Sequence, residues 1–578
     1  MFSVAVVICF WAMAIPAADS PPPAPSRRTG ENKAVTFNKD IAPIIFRECT
    51  YCHRPGQSAP FSLMTYGDVC KRAKQVAEVT ASRFMPPWLA ETGHVAFSNE
   101  RSLTSHEITR IQKWADQGAV EGEAKDLPTA PKYIEGWQLG QPDLVVRMPQ
   151  TYALGADGKD VYRNFVFAIP VPERKYVRAL EFHPGNPKAV HHAFVYVDTT
   201  RQSRRQAEKE NPPGFDGMVM PQSAQMPGGQ LLGWQPGHVP DPGLPGLAWV
   251  LEPNTDAVLQ LHMHPSGKLE TVQPALGLYF TEQAPTNMPF RINLTRLDLD
   301  IPAGSTNYAV EQSYTLPIDV NLLRMSAHTH YLGHELRGTA IFPDGARKSL
   351  LLIRDWDFNW QTDFVCARPL FLPKGTKLAM NFRFDNSTNN VQNPHQPPQR
   401  VTYGVNTTDE MAELWFQVLP RKPAERDVLS KDFSLHLSRV LVDFYHYSLK
   451  LNPNDATAHT RLGRAYLYQG RIAEGLRHLE VAVKINPSED KAHYELGAVY
   501  LRQNRLASAQ LAFETVIRLR PDDYQAHGNL GSVYLRLRNL DMAEQSFATA
   551  VQLNPDDTIA AKNLERVRQA KAQLQPRR

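Results

Sequence analysis

Cysteine and long apolar runs are both scarce in this chain. Only five of its 578 residues are cysteines, which excludes a scaffold that depends on disulfides. After the amino-terminal stretch, no segment approaches the roughly 18 uninterrupted apolar residues that indicate a membrane-spanning helix. Charge of one sign is lacking as well, because 63 basic residues face 59 acidic ones. With no basic cluster, the sequence does not predict a nucleic-acid partner.

Proline, by contrast, is abundant. The chain has 46 prolines, about 8% of its residues against a usual ~5%. This enrichment favours extended β structure with many turns, at least before residue 430. The length exceeds what one hydrophobic core can organise, and it predicts roughly three or four domains.

The first 20 residues, MFSVAVVICFWAMAIPAADS, are mostly apolar and end in small side chains. The pattern predicts a secretory signal peptide over residues 1–18, followed by a linker rich in Pro, Ser and Arg over residues 19–35. A single amino-terminal membrane anchor is the alternative. We therefore expect an exported protein that is periplasmic or secreted.

Residues 49–53 read Cys-Thr-Tyr-Cys-His. Two thiols three positions apart, followed at once by a histidine, are the attachment pattern of a c-type haem. Cys49 and Cys52 would bond the two vinyl groups, and His53 would be the proximal iron ligand. Half of a zinc site is the alternative.

The residues around this motif fit a small α-helical domain over residues 36–125. A capping-box sequence at Thr104–Glu107 predicts a helix that ends near Gly118. The pattern resembles class I cytochromes c, which usually take a methionine as the sixth iron ligand. Met85 is the candidate because prolines bound its loop, and Met64 is the rival. A His/Met pair leaves no open position for oxygen, so this domain would transfer electrons.

From about residue 135 to 420, short apolar runs are interrupted by Gly, Pro and Asn every ten residues or so. This pattern predicts an all-β region of two jelly-roll-like sandwiches, over residues 140–285 and 286–420.

Histidines recur in apolar strand contexts of this region, together with one methionine: His191-His192, His262, His328-Thr329-His330 and Met411. His328 and His330 are two residues apart, so on a strand they share a face and can reach one ion. Adjacent residues point to opposite faces, so His191 and His192 can share a metal only near a strand end or distortion. Imidazoles alone do not select a metal, but a thioether is soft and favours Cu(I).

The order of these four motifs resembles the copper type II, ascorbate-dependent monooxygenases, the group that includes the peptide-amidating and dopamine-hydroxylating enzymes. The resemblance covers roughly residues 140–420. It implies an electron-relay copper on His191, His192 and His262, and a dioxygen-activating copper on His328, His330 and Met411. The two sites would face each other across a cleft, where a substrate C–H bond is hydroxylated with dioxygen and external electrons.

Some histidines near these motifs have less defined roles. His264 is an alternative to His262, provided that it turns to the same face. We interpret His183, His238 and His334 as surface residues or as residues that support the ligands.

The chain departs from that family at the substrate positions. Ser326 stands where the amidating members carry an arginine, with Arg324 further back, and Glu413 and Trp415 occupy the family's Asn and Tyr positions. A buried partner for a substrate carboxylate is therefore missing, and with it the case for a glycine-ended peptide. The substrate stays open.

A repeat begins after residue 438. Gly463, Gly497 and Gly531 are 34 residues apart, and so are Pro453, Pro487, Pro521 and Pro555. The pattern resembles tetratricopeptide repeats, which predicts an α-solenoid over residues 438–573. Such arrays bind proteins or peptides on a concave face; a structural cap or a dimerisation element is the alternative.

Together these features predict a copper monooxygenase with a fused haem electron donor and a repeat arm. The alternative is a non-enzymatic haem and copper scaffold for electron transfer or metal handling. A haem peroxidase, which would need Met85 to be displaceable, is a third reading.

Overall fold

The computed structural model describes residues 34–574, apart from residues 159, 211–213, 218–219, 222, 231, 245 and 556. The predicted signal segment, 1–18, and most of the predicted linker, 19–35, lie outside these residues. Within the described part, no helix combines the length and the apolar character that a membrane crossing requires.

The described chain opens with an amino-terminal helical unit. A π-helical turn over Phe37–Ile41 leads into four α-helices and a 3₁₀ turn at Ala124–Asp126: α1 (Ala42–Glu48), α2 (Tyr66–Cys70), α3 (Ala73–Ala81) and α4 (Ser105–Asp116). Helix α4 begins with the predicted capping box, in which Thr104 and Glu107 satisfy each other's backbone N–H groups. Its buried Trp114 lies 5.9 Å from the ring of Phe37, so the two ends of the unit share one core.

The first β unit contains two antiparallel sheets around one core. Its strands are β1 (Leu144–Arg147), β2 (Tyr152–Leu154), β3 (Val161–Ala168), β4 (Lys175–His183), β5 (Val190–Asp198), β6 (Phe215–Asp216), β7 (Gly233–Trp234), β8 (Trp249–Leu251), β9 (Asp256–Met263), β10 (Glu270–Val272) and β11 (Ala275–Thr281). The short helix α5 (Gln202–Ala207) and a 3₁₀ turn (Pro227–Gly229) lie between strands of this unit. One sheet has the order β1-β11-β4-β8 and the other β6-β3-β9-β5-β7. Leu276 of the first and Leu259 of the second belong to the same buried cluster. Strands β2 and β10 form a separate pair.

The second β unit repeats this layered plan. Its strands are β12 (Phe290–Thr295), β13 (Asp300–Ile301), β14 (Tyr308–Thr315), β15 (Val320–His328), β16 (Gly333–Ile341), β17 (Arg347–Ile353), β18 (Asp363–Leu372), β19 (Lys377–Phe384), β20 (Val401–Thr402) and β21 (Glu413–Pro420). They form sheets in the orders β12-β21-β15-β18 and β14-β19-β16-β17, with β13 and β20 paired apart. Buried residues of both sheets again join one cluster, so the predicted all-β region is confirmed.

One segment of the helical unit packs on the second β unit. Between helices α3 and α4, Trp88 and Phe97 lie 5.3 and 5.5 Å from the ring of Phe364 on β18. Ala90 also forms a β-bridge with Ile353 at the end of β17. The helical unit is therefore fixed to the β region by a shared core.

The carboxyl-terminal part is an array of consecutive packed helices. They are α6 (Arg426–Leu451), α7 (Ala456–Tyr468), α8 (Ile472–Ile485), α9 (Asp490–Arg502), α10 (Leu506–Leu519), α11 (Tyr524–Arg536), α12 (Leu540–Leu553) and α13 (Thr558–Leu574). Helix α6 begins at Arg426 and not near Ser438 as the sequence predicted. The reason is tertiary: its first turns bury Leu429 and Phe433 in the core of the second β unit. A short 3₁₀ turn, Pro423–Glu425, precedes it.

Candidate metal centre

Strand β5 is irregular where its two adjacent histidines lie. Its pairing with β9 shifts register between Val190 and His192, and His192 lies directly opposite His262. Such a bulge inserts one extra residue and re-aims its side chain. The strand distortion that the sequence required is therefore present, and His191, His192 and His262 come together.

The three Nδ1 atoms of these histidines form a compact triangle. The edges are 3.1 Å between His191 and His262, 3.3 Å between His191 and His192, and 3.4 Å between His192 and His262. A point equidistant from the three nitrogens lies about 1.9 Å from each, close to the ~2.0 Å of a bond between imidazole nitrogen and a transition metal. These residues thus fit a metal ion.

Asp160 orients this cluster from its far side. Its carboxylate bonds Nε2 of His262 at 2.9 Å and Nδ1 of His264 at 2.6 Å. His262 therefore turns Nδ1 toward the triangle, whereas His264 turns its own Nδ1 to the carboxylate. Carboxylates that hold a ligating imidazole in this way fix its tautomer and direction. Burial alone would raise the pKa of Asp160, but its hydrogen bonds to His262 and His264 hold it well below its usual range.

Burial and neighbouring rings favour the uncharged form of His191 and His192 in this cluster. Burial, and then the neighbouring His262 and His264, lower the pKa of His191 to about 4. Burial together with His262 and His191 lowers the pKa of His192 well below its ordinary value. Neutral imidazole is the form that binds a metal ion.

The second candidate site is at the end of β15. His328 is its last residue, and the ring of His330 lies 5.2 Å from the ring of His328. Nδ1 of His328 bonds the Gln361 side-chain oxygen at 2.6 Å, and Nδ1 of His330 bonds the Asp409 carbonyl at 3.1 Å. With both Nδ1 atoms donating to oxygens, each Nε2 carries the lone pair that a metal would take. Burial, followed by the neighbouring His328, lowers the pKa of His330 to about 3.

A buried carboxylate links His330 to Met411. Glu410 is fully buried and accepts backbone N–H groups from His330, from Leu332 at 2.9 Å and from Met411 at 2.7 Å. Burial raises the pKa of Glu410 to about 8, against the opposing effect of these three N–H donors. Glu410 was not predicted from the sequence, although a charged side chain directly before a candidate ligand was a visible signal.

Both candidate sites open into one cavity between the two β units. The cavity has a volume of about 280 Å³ and is lined by His192, His328, His330 and Met411. Arg291 of β12 also lines it, with the guanidinium 4.6 Å from the ring centre of Trp415. Burial lowers the pKa of Arg291. The cavity therefore contains a partly buried cation, Arg291, which was not among the residues predicted from the sequence.

Three further histidines of the region, His183, His238 and His334, are not among these candidate ligands. His183 stacks on Trp137 at 3.7 Å and bonds Glu181, and His334 is exposed. His238, in contrast, lines the cavity between the candidate sites.

The Cys-Thr-Tyr-Cys-His segment forms a helical turn after α1. The backbone N–H groups of Cys52 and His53 both donate to the Cys49 carbonyl, so the two cysteines are one turn apart. Both thiols are free, and burial raises the pKa of Cys49 to about 12. Nδ1 of His53 bonds the Phe61 carbonyl at 3.1 Å, which fixes the ring and leaves Nε2 as the nitrogen that could bind a metal. These residues fit a covalently bound haem.

Met85 lines a small cavity beside helices α3 and α4. Its backbone N–H donates to Val79, and it lines a cavity of about 130 Å³ with Leu103 and Ile108. That lining does not include Cys49, Cys52 or His53. Met64 follows Leu63, whose N–H donates to the His53 carbonyl. The sixth ligand stays a prediction.

The turn that carries the cysteines contacts the first β unit directly. Tyr51 donates its hydroxyl to the His238 carbonyl at 3.2 Å, and Arg101 donates to the Gly237 carbonyl at 2.8 Å. Gly237 lies so close that a Cβ there would be 2.9 Å from Sγ of Cys52. Because His238 lines the metal cavity, one short loop touches both the cysteine turn and the cavity.

Comparison with known proteins bears on the carboxyl-terminal array. A family model for the tetratricopeptide repeat matches residues 460–510 and 494–558. A solved structure, the first such domain of Spaghetti (RPAP3) bound to the HSP90 peptide SRMEEVD, is 20% identical, with 20% of this chain and 93% of that chain covered and a TM-score of 0.20. No curated protein matches the chain. The carboxyl-terminal helices are tetratricopeptide repeats, as the sequence predicted.

Proposed function

We propose that this chain is a copper-dependent monooxygenase that hydroxylates a substrate C–H bond with dioxygen. The observation that carries the proposal is the shared cavity, with a triangle of three Nδ1 atoms on one side and a pair of histidines with a methionine on the other. When bound, the two copper ions would store one electron each and activate dioxygen.

The residues of the two sites have different tasks. His191, His192 and His262 would hold the electron-relay copper through three nitrogens. His328, His330 and Met411 would hold the catalytic copper, and the soft thioether favours the reduced ion. Phe358, Tyr162 and Trp415 line the cavity beside them and would exclude water from an organic substrate.

A covalent haem on Cys49, Cys52 and His53 is the proposed internal electron source. Support comes from the contact of Tyr51 and Cys52 with the 237–238 loop, whose His238 reaches the cavity. A tethered donor acts at high effective concentration and would deliver electrons singly. Met85 is the proposed sixth ligand of the iron, and an external donor would reduce the haem in turn.

The remaining parts fit an exported enzyme with a docking arm. The amino-terminal signal pattern supports export to the periplasm or beyond, the side of the membrane where c-type haem and copper would be loaded. The tetratricopeptide repeats support a protein or peptide partner, because stacked helical repeats present an extended concave surface.

The decisive experiment compares two methionines of the same cavity. Met411→Leu keeps the side-chain volume but removes the sulfur ligand, whereas Met226→Leu removes a thioether that we do not assign to copper. Beyond any copper bound outside this cavity, we expect two coppers and one haem in wild type, measured by mass spectrometry of metals and by absorption spectra. Oxygen consumption by the reduced protein should be lost in Met411→Leu and kept in Met226→Leu.

Two outcomes would contradict the proposal. One is unchanged oxygen consumption in Met411→Leu, and the other is a haem-loaded protein that does not retain copper. Either result would favour a scaffold for electron transfer over an enzyme.

A further inference from the structure

The three tetratricopeptide repeats share a histidine that contacts the preceding proline. Nε2 of His459, His493 and His527 bonds the carbonyl oxygen of Pro453, Pro487 and Pro521 at 3.2, 3.0 and 3.0 Å. A carbonyl only accepts, so Nε2 is the protonated nitrogen in each ring. The Nδ1 atom of each neutral ring then carries a lone pair.

The first repeat departs from the others at two positions around this histidine. His478 of α8 stands where the following repeats have Ala512 and Ser546, one and two periods further on. His446 of α6 stands at the position of Glu480 and Glu514. In each repeat this second residue bonds the hydroxyl of a tyrosine, as His446 does with Tyr466 at 2.6 Å. His446 and His478 thus lie near His459 at positions where the following repeats have no histidine.

The added side chain faces the lone pair of His459. Nδ1 of His459 and Nδ1 of His478 are 2.9 Å apart, and the ring of His446 lies 6.1 Å from that of His478. Tyr466 stacks on His478 with ring centres 5.6 Å apart, which limits its rotation. Burial, followed by His459 and His446, lowers the pKa of His478 to about 4.

The separation of the two nitrogens matches that of neighbouring ligands on one ion. Bonds of ~2.0 Å at angles between square-planar and tetrahedral place adjacent nitrogens about 2.8–3.3 Å apart. Access is open, because His446 at the rim is exposed. We propose that His459 and His478 form a binding site for a divalent transition-metal ion in the first repeat. The site lies outside the copper centre and does not depend on the proposed function.

The test counts bound Cu²⁺ in the full-length protein and in His478→Ala. Alanine is the residue that the next repeat has at this position, so the fold should tolerate it, and circular dichroism with a melting curve checks this. After saturation and removal of loosely held ion by gel filtration, wild type should retain one equivalent more than His478→Ala. The extra ion should show nitrogen couplings in its paramagnetic resonance spectrum.

His493→Ala is the matched control. It removes the equivalent histidine of the second repeat, which faces Ala512 and not another imidazole, and should bind as much copper as wild type. Equal copper in wild type and a folded His478→Ala would overturn the site and leave a simple hydrogen bond between the two rings. If the cleft histidines held no copper, all variants would lose it equally and the difference of one equivalent would persist.

Discussion

Glu410 shows how one side chain can shape a candidate site without binding the metal. Its carboxylate receives N–H groups from His330, Leu332 and Met411, so it holds the two parts of the ligand set at one position. In Glu410→Ala these buried donors lose their acceptor. We expect the free energy of unfolding to fall by about 3 kcal/mol or more, at ~1–3 kcal/mol for each of the three donors left unsatisfied. Urea denaturation measures this loss.

Glu410→Gln is the control for this residue, since it keeps the shape and one acceptor oxygen. Its destabilisation should be smaller, and its copper content should lie between those of wild type and Glu410→Ala. An alanine variant as stable as wild type would show that the loop is held by other contacts.

Asp198, at the end of β5, gives a prediction about pH. It is fully buried and accepts hydrogen bonds from Thr200, Ser203 and Ser223. Burial alone would raise the pKa of Asp198, but these donors hold it well below 3.8. Because the folded pKa is depressed, the stabilisation is complete above the unfolded pKa of about 3.9 and is lost as the pH falls below it.

We therefore expect Asp198→Asn to be less stable than wild type at pH 7 by about 1–3 kcal/mol. The difference should shrink as the pH falls below about 4, because the unfolded wild-type chain then binds a proton that its folded carboxylate does not. Denaturation at several pH values checks this; a difference that does not vary with pH would show that the charge is irrelevant.

At the residue scale, the sequence predicted the candidate ligands but not the side chains that orient them. The pairing of His191 with His192 signalled a strand distortion, and the bulge confirms it. Asp160 and Gln361 could not be predicted, because they reach His262 and His328 from distant parts of the chain through tertiary packing.

At the scale of one helix, α11 contains two glycines, Gly528 and Gly531, whose substitution by alanine should have opposite effects on stability. A Cβ at Gly531 would lie 2.9 Å from the ring of Phe547, whereas one at Gly528 would meet only Ala550 at 3.9 Å. Gly531→Ala should therefore destabilise the array by about 1–3 kcal/mol through overpacking. Gly528→Ala should stabilise it by about 0.5–1 kcal/mol, because alanine favours the helix.

Thermal unfolding of both variants tests the assignment of these glycines to close helix packing. Similar shifts in the same direction would show that helix propensity alone decides the outcome. The 34-residue spacing was sufficient to predict these helices, because each repeat uses the same local contacts. The start of α6 was not predictable, since its first turns are fixed by the β unit and not by the repeat.

At the scale of the whole molecule, Gly237 is the point where the helical unit meets the β region. Gly237→Ala would push a methyl group against Sγ of Cys52 and strain a backbone with φ of +82°. We expect reoxidation of the reduced haem by the copper-loaded protein to become slower, while the haem spectrum is unchanged. Stopped-flow absorption spectroscopy measures the rate.

Gly267→Ala is the control that separates the effect of backbone strain from the effect of the contact with Cys52. This glycine has a φ of +84° but no atom within 4 Å of the added methyl group, so it shares only the backbone cost of about 1–2 kcal/mol. Its reoxidation rate should match wild type. Equal rates in both variants would show that electrons do not depend on the contact between Cys52 and the 237–238 loop.

The sequence predicted the order of the units but not how they interlock. Trp88 and Phe97 read as part of the helical unit, yet they complete the core of the second β unit beside Phe364. The sequence around Trp88 and Phe97 does not indicate which core they join, because an aromatic residue in a loop is equally compatible with either one.

Helix α6 is shared by two cores in the same manner. Phe433 near its start is buried among the strands, and Tyr445 near its end is buried against the first repeat, beside Leu462. A continuous rod anchored at both ends does not act as a hinge. A protein bound by the repeats would therefore keep one orientation relative to the β units, and its distance from them would depend on the length of helix α6.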